Sequence, residues 1–149
     1  SSDNMIQGTF IDQEKLGYVG KITEVNPTAI ESVLHKNYIP IIAPLGMTSC
    51  GQWLNVNADD TACKIAEAVE AEALYLLTDV PGVKQDGEWL ENISCSEVEH
   101  LKSEKVITGG MIPKLDSAIS ALENGVAEVH ITNCIEKAGT IITKEEVFA

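Results

Sequence analysis

Two stretches of the chain repeat apolar residues at helical spacing. Ala58, Ala62, Ile65 and Val69 follow one another at intervals of 4, 3 and 4, and Ile112, Leu115, Ile119 and Leu122 at 3, 4 and 3. Each is the stripe of an amphipathic helix. The first is predicted to start at Asn57 or Asp59 and to run to about Ala71, and the second to close at Gly125 in the C′ role. An earlier helix starts at Asn26-Pro27, because asparagine caps well and proline fits the first turn. Ile30, Val33 and Leu34 give it a stripe, and Asn37 ends it.

Short continuous apolar runs lie between these helices. Ile39 to Ala43 and Ala73 to Leu77 read as strands buried on both faces, with Pro40 tolerated at the entrance of the first. Ala127 to Ile131 and Gly139 to Ile142 read as two further strands. Asp86-Gly87, set between Val83-Lys84-Gln85 and Glu88-Trp89-Leu90, is a two-residue hairpin turn. Ser94 and Glu97 have the spacing of a capping box, opening a short helix through Val98 and Leu101. Met5 to Phe10 and Gly17 to Val25 read as a polar antiparallel pair. Alternating helices and buried strands predict an α/β fold, with a mostly parallel sheet covered by helices on both faces and an inserted β-hairpin. With 149 residues and neither linker nor repeat, one domain over 1–149 is expected.

Charge narrows the function. Ten Lys and Arg stand against 23 Asp and Glu, a net charge of −13, which disfavours nucleic acid and anionic membrane surfaces as partners. An anionic ligand would need local donors, such as helix N-terminal amides and a lysine. No apolar run approaches the roughly 18 residues of a membrane span. Cys50, Cys63, Cys95 and Cys134 are far apart, with no Cys-x-x-Cys pair, and read as reduced thiols in a cytoplasmic protein. His35, His100 and His130 are isolated from one another and from any cysteine pair, so the expected metal-ligand set is none.

Open α/β sheets bind ligands beyond the carboxyl ends of their strands, and three polar or glycine-bearing segments there could carry chemistry. Asn55-Val56-Asn57-Ala58-Asp59-Asp60 runs into a helix start, where its amides and carboxylates could orient a ligand or act only as a cap and first-turn acids. Thr78-Asp79-Val80-Pro81-Gly82-Val83 leaves a strand and could contact a base or ribose, or serve only as a turn into the hairpin. Thr108-Gly109-Gly110-Met111-Ile112-Pro113-Lys114 opens a helix with paired glycines and a lysine, a reasonable phosphate site although it is not a Gly-x-x-x-x-Gly-Lys loop.

The order and spacing of Asn-Val-Asn-Ala-Asp at 55–59, Leu-Leu-Thr-Asp-Val-Pro-Gly-Val at 76–83 and Gly-Gly-Met-Ile-Pro-Lys at 109–114 resemble the carboxyl-terminal, ATP-binding half of the N-acetylglutamate kinases, in the amino-acid kinase family. Leu-Gly-Tyr-Val-Gly at 16–20, Val-Asn-Pro at 25–27 and Tyr-Ile-Pro-Ile-Ile-Ala-Pro-Leu-Gly at 38–46 resemble the same enzymes. The resemblance implies an α/β/α sandwich. It also implies transfer of the γ-phosphoryl group of ATP to the side-chain carboxylate of N-acetyl-L-glutamate, in arginine biosynthesis. Lys114 is then similar to the lysine that stabilises charge on the transferring group, Asp59 to the aspartate that holds catalytic lysines, and Asn55 to the asparagine that binds the acetylated amino acid.

Thr78, Asp79, Val80, Pro81, Gly82, Val83 and Lys84 resemble one ATP-binding stretch, and Val106, Ile107, Thr108 and Met111, with Lys114, resemble the other. Mg2+ would ride mainly on the phosphates, and family members are commonly homo-oligomers. The family's first-strand lysine and second glycine-rich loop have no counterpart here. Since the chain also begins at Ser1, it is expected to be the nucleotide-binding lobe of a longer protein whose amino-terminal lobe is absent. A non-catalytic nucleotide-binding or regulatory module, and a related kinase with another acceptor, stay open as alternatives.

Overall fold

The computed structural model describes residues 4–144. The chain divides into two compact units, at Val69 and Glu70.

In the first unit, β1 (Ile6–Phe10), the single-turn α1 (Gln13–Leu16), β2 (Val19–Val25) and α2 (Pro27–Leu34) are followed by β3 (Leu45–Met47), β4 (Trp53–Val56) and α3 (Ala58–Ala68). The expected antiparallel pair is present: β1 runs against β2 from Ile6↔Val25 to Phe10↔Gly20, with an irregularity at Gln7/Gly8. The four strands close on themselves in the order β1-β2-β4-β3. Closure joins β1 to β3 and β2 to β4 in parallel, and β3 to β4 antiparallel. Gly20 allows this closeness, since a Cβ there would lie 2.6 Å from the Leu54 side chain that fills the ring. Ile6, Ile30, Leu54, Val56, Cys63 and Ala66 form the core.

Asn26 caps α2 as expected, its side chain accepting from the Thr28 amide at 3.1 Å, and Asn37 takes a positive φ of 59° just past its end. The expected buried strand at 39–43 does not form. Ile39 and Ile41 are 89% and 98% exposed, and the strand that follows begins only at Leu45. Prolines at 40 and 44 remove ladder donors at both ends of the run, and no described strand pairs with it. In α3 the buried residues are Thr61, Cys63 and Ala66; of the expected stripe, Ala62, Ile65 and Val69 are only half-buried and Ala58 is exposed. The helix stops at Ala68, three residues early, and Glu70 adopts a left-handed φ of 52°.

In the second unit, β5 (Ala73–Leu77) leads to the hairpin strands β6 (Lys84–Gln85) and β7 (Glu88–Trp89). Then come β8 (Asn92–Ser94), α4 (Cys95–Ser103), α5 (Met111–Glu123), β9 (Glu128–Thr132) and β10 (Thr140–Thr143). The main sheet has the order β5-β9-β10-β8. Its outer pairings, β5 with β9 and β10 with β8, are parallel, and the central β9–β10 pairing is antiparallel. The α/β class therefore holds, with both directions of pairing in each four-stranded sheet and only antiparallel pairing in the β6–β7 hairpin. α5 buries Leu115, Ala118, Ala121 and Leu122 and ends ahead of Gly125, whose φ is 108°. The core beneath it includes Leu76, Val98, Leu101, Val129, Ile131 and Ile142.

Candidate functional site

The second unit contains a cavity of about 230 Å³ built on the hairpin. The chain leaves β5 still tied to the sheet, the Thr78 amide donating to the Thr132 carbonyl at 2.9 Å. Buried Gly82 lies against Thr140 with no space for a side chain. A single hydroxyl then fixes the hairpin: Thr140 Oγ1 accepts from the Val83 amide at 2.8 Å and donates to the Leu90 carbonyl at 2.6 Å. The Leu90 amide completes the tie by donating to the Val83 carbonyl at 2.9 Å. At the tip, Asp86 and Gly87 have φ values of 49° and 93°, the signs of a type I′ turn. This turn sets Lys84 directly across from Trp89, and the Lys84 ammonium lies 5.0 Å from the indole centroid.

The other wall comes from the end of α4. The Lys105 amide donates to the Lys102 carbonyl at 3.1 Å and the Val106 amide to the Leu101 carbonyl at 3.0 Å, the paired bonds of a Schellman ending, with Lys105 at φ 58°. That ending turns Val106 and Ile107 back toward the hairpin, and Ile107 is buried. Thr108 leads on to Gly109, at φ 65°, and then to α5. No side chain caps α5, but its first turn offers few donors to another acceptor: the Ile112 amide donates to the Gly109 carbonyl at 3.2 Å and Pro113 has no N–H. The helix dipole makes this end locally positive in a chain of net charge −13. Lys114, half-buried one turn into α5, has its Nζ 3.4 Å from the Leu77 carbonyl at the end of β5.

Of the residues singled out in the sequence, Val80, Gly82, Val83, Lys84, Val106, Ile107, Thr108 and Met111 line this one cavity. Thr78, Asp79, Pro81 and Lys114 belong to the same unit but do not line it. The Thr78 hydroxyl donates to Asp79 Oδ1 at 3.3 Å, ahead of the lining residues. Asn55 and Asp59 belong to the first unit. Asn55 is an exposed β4 residue whose amide donates to the Tyr18 carbonyl at 2.8 Å, and Asp59 is a half-buried first-turn residue of α3. The neighbouring Asn57 caps α3, accepting from the Asp60 amide at 3.0 Å. Trp89 also lines the cavity and was not singled out for it. The signal was available, because a two-residue Asp-Gly hairpin must pair Lys84 with Trp89.

The cysteines are free thiols. Burial, assisted by the charges of Asp59, Asp60 and Glu67, pushes the Cys63 thiol up to about 12, as expected of a packed and unreactive side chain. Among the described residues no group of three His, Cys, Asp or Glu side chains is placed to hold a metal, and no helix is long and apolar enough to cross a membrane.

The amino acid kinase family profile matches residues 3–133. An acetylglutamate kinase of Leuconostoc mesenteroides is 50% identical over 143 residues, which is 96% of this chain and 59% of that protein. An acetylglutamate kinase of Listeria monocytogenes serotype 4b is 52% identical over 138 residues, 93% of this chain and 55% of the relative. The chain thus spans little more than half the length of these curated relatives. Among solved structures, smu.665 from Streptococcus mutans superposes with a TM-score of 0.87 at 39% identity, over 95% of this chain and 57% of that one. N-acetylglutamate synthase from Neisseria gonorrhoeae, complexed with coenzyme A and L-arginine, follows at 0.84 and 27%, over 95% of this chain and 37% of that one. The motifs, the two-unit α/β architecture and the extent of these matches lead to one assignment: the chain belongs to the amino acid kinase family.

Proposed function

We propose that this chain is the ATP-binding part of an acetylglutamate kinase, which transfers the γ-phosphoryl group of ATP to the side-chain carboxylate of N-acetyl-L-glutamate. The observation that carries this reading is the single cavity lined by both family-like stretches, at residues 80–84 and 106–111. The relatives named acetylglutamate kinase, at 50% and 52% identity, support the choice of acceptor.

The chemistry asks little of the protein beyond placement. A glutamate-type carboxylate, with a pKa of about 4.3, is already ionised at neutral pH and needs no general base. Catalysis is then positioning together with neutralisation of charge on the phosphoryl oxygens. Lys114 supplies a full positive charge, and the positive end of the α5 dipole adds to it. Asp59 acts as a positioning residue for cationic side chains, and Asn55 holds the acetylated amino acid. Mg2+ would be carried mainly on the ATP phosphates and their waters.

The exposed apolar run at Ile39 and Ile41 supports a covering partner, which we take to be an amino-terminal lobe absent from this chain, within a homo-oligomeric cytoplasmic enzyme. The likeness to a protein named as a synthase favours a second reading, a nucleotide-binding module without phosphoryl transfer.

Calorimetric titration of the chain with Mg-ADP tests the nucleotide site. Saturable binding, weakened by both Asp79→Ala and Lys114→Ala, is the expected result; binding indifferent to both would sink the assignment of the site. In the enzyme assembled with its amino-terminal part, a panel of N-acetylglutamate, aspartate, carbamate and uridylate then decides the acceptor. Preference for any other than N-acetylglutamate overturns the substrate, and no transfer to any of them favours the module.

A further inference from the structure

We propose that Trp89 is the nucleobase-contacting residue of this cavity: its indole is the flat wall against which the base packs, and Lys84 is the cation that exchanges the indole for phosphate when the nucleotide binds. The inference rests on the nucleotide-site reading above and goes beyond it, because Trp89 lies outside both ATP-like stretches.

Three observations carry it. The indole is one of the cavity-lining groups and is 45% exposed, so one of the chain's largest apolar surfaces stands at a wet opening rather than in the core. An aromatic face at the mouth of an apolar cavity is a ready contact for a planar ligand. Secondly, the wall is rigid. Thr140 holds both legs of the hairpin, and the Asp86-Gly87 turn leaves Trp89 a single cross-strand neighbour, Lys84. A stacking platform of this kind costs little ordering on binding. Finally, the cavity holds about 230 Å³, below the range of roughly 300–1,000 Å³ typical of sites that enclose a whole small ligand. It suits a planar ring alone, with sugar and phosphates outside it.

The remaining lining groups match that division. Val80, Val83, Ile107 and Met111 are apolar and offer a ring edge no competing charge. Lys84 is the one charged side chain among the lining residues, and its ammonium lies over the indole. A cation on a partly exposed ring is held weakly, whereas an ammonium beside phosphate forms a charge-assisted bond. Exchange of the ammonium for a stacked base therefore improves both contacts.

The test uses the 149-residue chain carrying Trp53→Phe, which leaves Trp89 as its only tryptophan, since the sequence has two. Mg-ADP is titrated by calorimetry and by tryptophan emission in parallel. The expected result is a saturable change in emission with the calorimetric Kd. Trp89→Ala should raise Kd about tenfold, equivalent to about 1.4 kcal/mol. Trp89→Phe, which keeps a stacking face, should stay within about threefold. Circular dichroism of each variant checks that the half-exposed position has not cost the fold.

Mg-ADP binding that leaves the emission unchanged and is unaffected by Trp89→Ala overturns this inference while the nucleotide site stands. Equal losses in Trp89→Ala and Trp89→Phe also overturn it, because stacking would then not be the contact. Absence of any calorimetric binding to the Trp53→Phe chain overturns both.

Discussion

Thr140 shows how much one fully buried hydroxyl can organise. It accepts from the Val83 amide and donates to the Leu90 carbonyl, two backbone groups that the main sheet leaves unpaired. Replacement by the nearly isosteric valine would strand both. Thr140→Val is expected to lower the unfolding free energy by about 2–6 kcal/mol, at roughly 1–3 kcal/mol for each of the two unmade bonds. Urea unfolding measures that loss, and a change below the experimental scatter would mean that the hairpin finds other partners. Lys114 makes the opposite kind of prediction. In the assembled enzyme, Lys114→Ala is expected to cut turnover by about a hundredfold or more while leaving stability nearly intact, the scale seen when a preorganised charge is removed. A near-normal rate would remove it from the proposed chemistry. Lys114 could be singled out as a candidate in the sequence because its glycines and helix stripe are neighbours. Thr140 was not, since its donor partner lies 57 positions away and nothing local marks the pairing.

At the scale of elements, α4 is the clearest case of local chemistry setting a boundary. The Ser94 amide donates to Glu97 Oε2 at 2.7 Å and the Glu97 amide to Ser94 Oγ at 3.2 Å, the reciprocal capping box read from the sequence. Ser94→Ala should destabilise the protein by about 1 kcal/mol, as other lost caps do. The backbone bond from Ser94, followed by its hydroxyl, holds the Glu97 carboxyl below its ordinary range. A carboxylate favoured in the fold stabilises it above the pKa of the unfolded chain, and that contribution fades as pH falls through the lower folded value. The urea midpoint should therefore decline on the acid side less steeply in Glu97→Gln than in the parent, and identical slopes would contradict the assignment. The capping box, the Asp86-Gly87 hairpin and the long helices were all legible because their determinants lie within a few residues of one another. The three- and four-residue strands β3, β4 and β8 were not, being too short to show a period.

For the whole molecule, the run at 39–43 marks the limit of hydrophobicity as a guide. Its composition reads as interior, yet Ile39 and Ile41 are almost fully exposed. Apolar residues record that a surface is to be covered without saying by what. If they contribute nothing to this chain's own core, Ile39→Ser and Ile41→Ser should each change stability by less than about 0.5 kcal/mol. The same pair should reduce self-association in sedimentation velocity. A large stability loss would show that the run packs within the chain. The division at Val69 and Glu70 was equally hidden, because a left-handed glutamate between a helix and a strand resembles an ordinary connection rather than a linker.

The closed ring of β1, β2, β4 and β3 has a consequence for how chain length can vary in this family member. An open sheet absorbs an added residue by fraying an edge strand. A ring has no edge strand, so an insertion in β3 or β4 would have to be matched by both neighbours or would turn every following side chain to the opposite face. Within the first unit, length changes are therefore best absorbed in the connections at 12–17, 35–43 and 49–51, inside the backbone bonds that tie Ile11 to Val19, Tyr18 to Asn55, Pro44 to Val56 and Thr48 to Gln52. Gain or loss of a single residue within 45–47 or 53–56 should be among the least tolerated changes in the first unit, although both strands are short and three of their residues, Leu45, Trp53 and Asn55, face solvent.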